Sequence, residues 1–117
     1  MSRVFSKIFL SGEDGNGAGR LVTGTATTAM TTVHTAVTGI NAFDEVYLWV
    51  ANTATANREV TINLGGGNKF VDIIPPQDGL HLMIPGLPFN NGKVVSILAT
   101  VADQVYFSGY AHRASAT

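Results

Sequence analysis

From Asp44 to Arg113 the chain is one strand-length apolar run after another, with turn chemistry at nearly every break. The runs are Glu45-Val-Tyr-Leu-Trp-Val-Ala-Asn52, Glu59-Val-Thr-Ile-Asn-Leu64, Phe70-Val-Asp-Ile-Ile74, Leu80-His-Leu-Met-Ile84, Lys93-Val-Val-Ser-Ile-Leu-Ala-Thr-Val101 and Gln104-Val-Tyr-Phe-Ser-Gly-Tyr110. Between them stand Gly65-Gly-Gly67, Pro75-Pro76, Asp78-Gly79, Pro85-Gly-Leu-Pro88 and Asn90-Asn-Gly92. Short strands at this spacing predict an all-β sandwich or barrel. Thr31 to Val37 adds a further strand, for seven or eight in all.

Side chains alternate between the two faces of a strand, so periodicity assigns the faces. Val46, Leu48 and Val50 share one face of their strand, with Tyr47 and Trp49 on the other. Val60, Ile62 and Leu64 alternate with Glu59, Thr61 and Asn63, the pattern of a half-buried strand. Val105 and Phe107 oppose Tyr106 and Tyr110. The short Ala102-Asp103 break predicts a hairpin between 93–101 and 104–112, and Asn91-Gly92 predicts a tight turn with positive φ. Pro75-Pro76 and Pro85-Gly-Leu-Pro88 are expected to end strands. Tyr47, Trp49, Tyr106 and Tyr110 lie opposite the aliphatic rows, where outward rings serve as interface anchors and inward rings as core.

Residues 1–30 differ from residues 31–117, the expected sandwich domain. The apolar tip Val4-Phe-Ser-Lys-Ile-Phe-Leu10 precedes a Gly-rich spacer and then a stretch of Thr, Ala and Gly. An N-terminal arm follows from this, docked on its own sandwich or on a neighbour, the alternative being an ordinary first strand with a long loop. In the arm reading Phe5, Ile8, Phe9 and Leu10 anchor it to a neighbouring subunit or a larger surface.

Composition narrows the function classes. A chain of 117 residues has room for one domain, which buries roughly two-thirds of its unfolded surface. Without cysteine it forms neither disulfides nor thiolate metal sites. The net charge of −1 and scattered basic residues give no footprint for nucleic acid. No apolar run approaches the roughly 20 residues of a membrane-spanning helix, and Lys7 interrupts the only signal-peptide-like start. Charged residues make up 13%, against about 25% in ordinary soluble domains. Depletion of charge characterises interface centres, so part of this surface is expected to be covered in an assembly.

Catalytic and metal signatures fail when tested. His34, His81 and His112 have no metal-ligand spacing, and their ordinary reading is as solvent-facing strand histidines. Asp14-Gly-Asn-Gly-Ala18-Gly19 imitates the start of a calcium loop, but its fifth position is Ala18 and its twelfth is Thr25 in place of a bidentate Glu. Gly65-Gly-Gly-Asn-Lys69 lacks phosphate-loop spacing and is expected to be a hairpin loop. Asp78 and Asp103 are turn formers. No Gly-x-Ser-x-Gly elbow occurs. The expectation is a protein that is not an enzyme and takes no cofactor, metal or small-molecule substrate.

Five segments carry a family resemblance: Phe43-Asp-Glu-Val-Tyr-Leu-Trp-Val-Ala-Asn52, Ile74-Pro-Pro-Gln-Asp-Gly-Leu80, Ile84-Pro-Gly-Leu-Pro88, Asn91-Gly92 and Gly109-Tyr-Ala-His-Arg113. Over residues 33 to 113 the chain resembles small virion structural proteins of tailed bacteriophages, in particular capsid decoration, or cement, proteins. The resemblance implies a jelly-roll-like sandwich, often a homotrimer, made in the host bacterial cytoplasm. It would be carried on the capsid exterior, with the major capsid protein as partner. Two other readings stand beside it. One is a tail-fibre or adhesin-like sandwich that binds glycans through Trp49 and the tyrosines; the other is a tail or head–tail connector component.

Overall fold

A computed structural model of the chain describes residues 3–13 and 19–116. Among the described residues the regular structure is all β. The strands are β1 Arg3–Phe9, β2 Arg20–Leu21, β3 Thr31–Thr35, β4 Phe43–Asn52, β5 Arg58–Asn63, β6 Lys69–Ile74, β7 His81–Phe89, β8 Val94–Ala99 and β9 Val105–Ala116. One sheet has the order β1-β9-β4-β7, with the two-residue β2 also paired to β9; the other has the order β3-β8-β5-β6. All pairings are antiparallel.

The alternating rows explain why two sheets form. Val46, Leu48 and Val50 of β4 and Val105, Phe107 and Ala111 of β9 are buried, as are Val60 and Ile62 of β5 and Val95, Ile97 and Ala99 of β8. Each sheet offers one apolar face, and closing the two faces on each other is the cheapest way to remove both from water. A fully buried Phe107 alone is worth about 1.5–3 kcal/mol relative to an exposed ring. At one end the buried Asn52 closes the β4–β5 connection. Its Nδ2 donates to the carbonyls of Ala56 and Ile74, and its Oδ1 accepts from Ala54 N–H, each at 2.9 Å.

The short β5–β6 link is the expected hairpin. Gly65, Gly66 and Gly67 all take positive φ there, and Arg58 pairs with Ile74 at its far end. Asn91 and Gly92 also take positive φ, at 56° and 72°.

Two local expectations are corrected. Strands β8 and β9 do not form a hairpin, because they belong to different sheets. Their inner rows face the same core from opposite sides, so the 100–104 link carries the chain across the sandwich. The Pro85-Gly-Leu-Pro88 segment does not end a strand but lies within β7. As the last strand of its sheet, β7 has one side without ladder partners, which is where proline is tolerated. Two register shifts against β4, at Val46/Tyr47 and Leu48/Trp49, absorb the irregularity.

The N-terminal tip pairs with β9 of its own chain over seven residues, from Arg3 opposite Ala116 to Phe9 opposite Tyr110. Of the two docking sites open to an arm, it takes its own sandwich. The calcium-loop-like run lies outside the described residues at 14–18, with Gly19 alone of its six residues described.

Candidate interaction surface

Antiparallel partners project to the same side of a sheet, so the register shows which side chains gather on the outer face of β1-β9-β4-β7. Phe9 stands opposite Tyr110, and Tyr110 opposite Tyr47. Lys7 stands opposite His112, and Trp49 lies between Ser108 and Leu82. The Tyr47 and Tyr110 rings stack at 4.9 Å between centroids with 21° between planes. Trp49 stacks at 6.0 Å from Tyr110, and His112 lies 5.5 Å from the same ring. Lys7 Nζ is 4.6 Å from the Tyr110 centroid, a cation–π geometry. Since β9 runs between β1 and β4, Lys7 reaches Tyr110 from one flank while Tyr47 and Trp49 reach it from the other.

Of the sequence candidates, Phe5 (61% exposed), Phe9 (53%), Tyr47, Trp49 and Tyr110 share this face, the last three half-buried. Tyr106 is on the same side farther along β9, opposite Leu21 and against Gly19. Ile8 projects inward and packs half-buried against the core. Leu10 is a correction, because it is 1% exposed and buried in this chain's own core. Beyond the end of β1 the chain turns toward β3, where Gly12 N–H donates to the Val33 carbonyl, and this carries Leu10 between the sheets.

Two concavities adjoin the face. One, of 360 Å³, is lined by Lys7, Ile8, Phe9, Gly109 and Tyr110 and is largely apolar. The other, of 510 Å³, lies between Phe43, Glu45 and the β7 end at Pro88, Phe89 and Asn90. Lys7 and Glu45 bring charge to an otherwise aromatic and aliphatic surface.

Beneath this sheet lies a polar network that the strand pattern did not reveal. His34 is buried, which corrects its expected solvent-facing position. Ser11 N–H donates to His34 Nδ1 at 3.0 Å, so the ring proton sits on Nε2, which donates to Asp44 Oδ2 at 2.8 Å. Asp44 also accepts from Arg113 Nε at 2.8 Å, from a second Arg113 nitrogen at 3.0 Å and from Val37 N–H at 3.1 Å. Burial pushes the Asp44 carboxyl up, but the hydrogen bonds and charge of Arg113, together with those of His34, outweigh it and hold the group below its ordinary 3.8. One signal was available in the sequence. Asp44 has the same parity as Val46, Leu48 and Val50, so it is a charge on a core-facing row.

The network resembles a nucleophile–base–acid relay only in its residue types. Ser11 meets His34 through its backbone N–H, and its hydroxyl accepts from Thr35 N–H at 2.7 Å. The arrangement ties the 10–13 segment to β3, and β3 to β4 and β9. His81 lies 3.5 Å from Asp78, while His112 belongs to the aromatic cluster. Among the described residues no group of three or more His, Cys, Asp or Glu side chains comes together as a metal site.

No family model matches the chain, and no curated protein matches it.

Proposed function

We propose that this chain is a structural protein of a phage virion, binding the outside of the assembled capsid as a decoration, or cement, protein. The observation that carries the proposal is the outer face of β1-β9-β4-β7, where aromatic and aliphatic side chains from four strands form one low-charge surface. Such a surface is what a protein presents when it works by being packed against another. A protein that binds only the assembled shell stabilises that shell by mass action, and many repeated copies make weak individual contacts sufficient. The strand order supports the jelly-roll reading, since successive strands after β2 cross repeatedly between the sheets, a plan used by capsid and lectin domains.

The ring geometry favours packing over glycan binding. A sugar platform needs an open aromatic face, yet Tyr110 is flanked by Tyr47 and Trp49 on one side and by Lys7 on the other.

Co-sedimentation with purified capsids lacking the chain, followed by particle reconstruction, tests the proposal. Saturable exterior binding that is lost in a Tyr47→Ala/Trp49→Ala double variant of unchanged fold is the expected result. Location in the tail, or glycan binding that depends on Trp49 with no capsid binding, overturns it. Deleting residues 1–12 is unsuited to the purpose, since it removes strand β1 and the core residue Leu10.

A further inference from the structure

The backbone hydrogen bonds of β9 reveal which groups of β1 remain open. Gly109 N–H donates to Glu13, just beyond β1, and the Val105 carbonyl accepts from Val22, just beyond β2. Since β4 occupies the other side of β9, the odd-numbered residues of β9 point their N–H and C=O groups toward β1. Ile8, Ser6 and Val4, which stand opposite Ala111, Arg113 and Ser115, therefore exchange bonds with β9. Arg3, Phe5, Lys7 and Phe9 direct theirs away from the sheet, and among the described residues no strand pairs with that edge.

The other three sheet edges are protected. Strand β7 carries Pro85 and Pro88. Strand β3 is covered where the Val33 carbonyl accepts from Gly12 N–H and Thr35 N–H donates to the Ser11 hydroxyl. Strand β6 exposes Lys69 and Asp72 beside Val71 and Ile73, and its open Ile73 N–H is already taken by the Asp72 side chain. Strand β1 has seven residues, no proline, a single mid-strand charge at Lys7, exposed Val4, Phe5 and Phe9, and no capping bond on its open groups among the described residues, the profile of an edge that pairs.

We infer that the open edge of β1 pairs antiparallel with β1 of a second copy, across a two-fold axis at Ser6. This register sets Phe5 opposite Lys7 and Arg3 opposite Phe9. All the open groups then meet open groups, in a ladder of about eight bonds, since each such pair exchanges two. Sliding by one pair either way leaves an open residue of each strand without a β1 partner, and in one direction puts Lys7 against Lys7, where like charges directly opposite are destabilising. Full pairing of the open groups thus selects the register, and Lys7 remains on the outer face above Tyr110. The two sheets become continuous and their aromatic faces adjoin in an isologous dimer, where the resemblance implies a three-fold. This pairing is independent of what the outer face binds.

Ser6 lies on the axis as a non-hydrogen-bonded pair, with its two Cα atoms about 4.5 Å apart, within disulfide range. The chain has no cysteine, so Ser6→Cys reports on this contact alone. Light scattering on the purified full-length chain should give twice the 12.3 kDa chain mass. Ser6→Cys should oxidise to a covalent dimer, whereas Val4→Cys should not. Lys7→Pro removes an N–H that faces away from β9 and should yield a folded monomer, while Lys7→Ala stays dimeric. A monomeric wild type, an oligomer indifferent to Lys7→Pro, or equal cross-linking of both cysteine variants overturns the inference. If Lys7→Pro unfolds, the cysteine pair decides alone.

Discussion

Arg113 grips Asp44 at two points across the β4–β9 ladder, at 2.8 and 3.0 Å, and Asp44 is fully buried while Arg113 remains 32% exposed. The pair joins the outer rim of the sheet to its buried side, because His34 and the Val37 backbone take the other approaches to the carboxylate. Both carboxylate oxygens thereby accept hydrogen bonds, one at Oδ1 and three at Oδ2, which is the condition for burying a carboxylate at tolerable cost.

Removing that charge should be severe. Asp44→Asn keeps the shape but removes the charge and sets an NH2 donor against donors of Arg113, His34 or Val37. The expected loss is about 3–5 kcal/mol of unfolding free energy, the range for breaking one side of a buried pair. Urea denaturation measures it, and a loss under about 1 kcal/mol would show the network to be dispensable.

The same carboxyl predicts an acid-sensitive stability. Its folded pKa is below its unfolded value, so the unfolded chain binds the proton more readily. The contribution of Asp44 is complete above its ordinary 3.8 and disappears as pH falls through the lowered folded value. Wild-type melting temperature should fall on acidification below about pH 5, with a shallower fall in Asp44→Asn. Parallel profiles for the two proteins would contradict this assignment.

His34→Ala should cost about 2–4 kcal/mol, combining a buried cavity with lost partners for Ser11 N–H and Asp44. Its effect should also be directional. Hydrogen exchange should rise first in residues 10–13 and in β3, which the imidazole ties together. Exchange that rises equally throughout both sheets would argue against that local role.

Gly86 supports the aromatic face from β7. Its φ is +95°, and a Cβ there would lie 2.8 Å from the Tyr47 ring. Gly39 shares a positive φ of +85° but has open space around it. Gly86→Ala should therefore cost about 1–3 kcal/mol, more than Gly39→Ala, and should perturb the near-ultraviolet tyrosine and tryptophan signal. Equal costs would mean that backbone strain alone is responsible.

Much of the fold was legible because alternation is a local property. Glu45–Asn52 and Glu59–Leu64 declare their faces residue by residue, and the Gly65–Gly67 loop declares its hairpin. The same local signals misled at Ala102-Asp103, where a turn between two strands looks alike whether the chain folds back in one sheet or crosses to the other. Pro85 and Pro88 misled for a related reason, since proline is compatible with a strand only when that strand lies at an edge. The outer aromatic face was half visible, as rings at odd parity in β4 and even parity in β9. That those rings meet depends on Tyr47 standing opposite Tyr110, a pairing across more than sixty residues.

By itself the sequence determined the class: an all-β chain without cysteine, low in charge, with strands whose two faces differ in polarity. Alternation with a period of two needs only neighbouring residues to be recognised. Tertiary structure alone decided which strands share a sheet, that His34, Asp44 and Arg113 converge, that Leu10 is core, and that β1 has no strand on its second side among the described residues. Each of these depends on contacts between distant segments, and register converts a one-residue slip into an exchange of buried and exposed faces. Where the packed core is the common constraint, only the assembled sandwich selects among pairings that are locally equivalent.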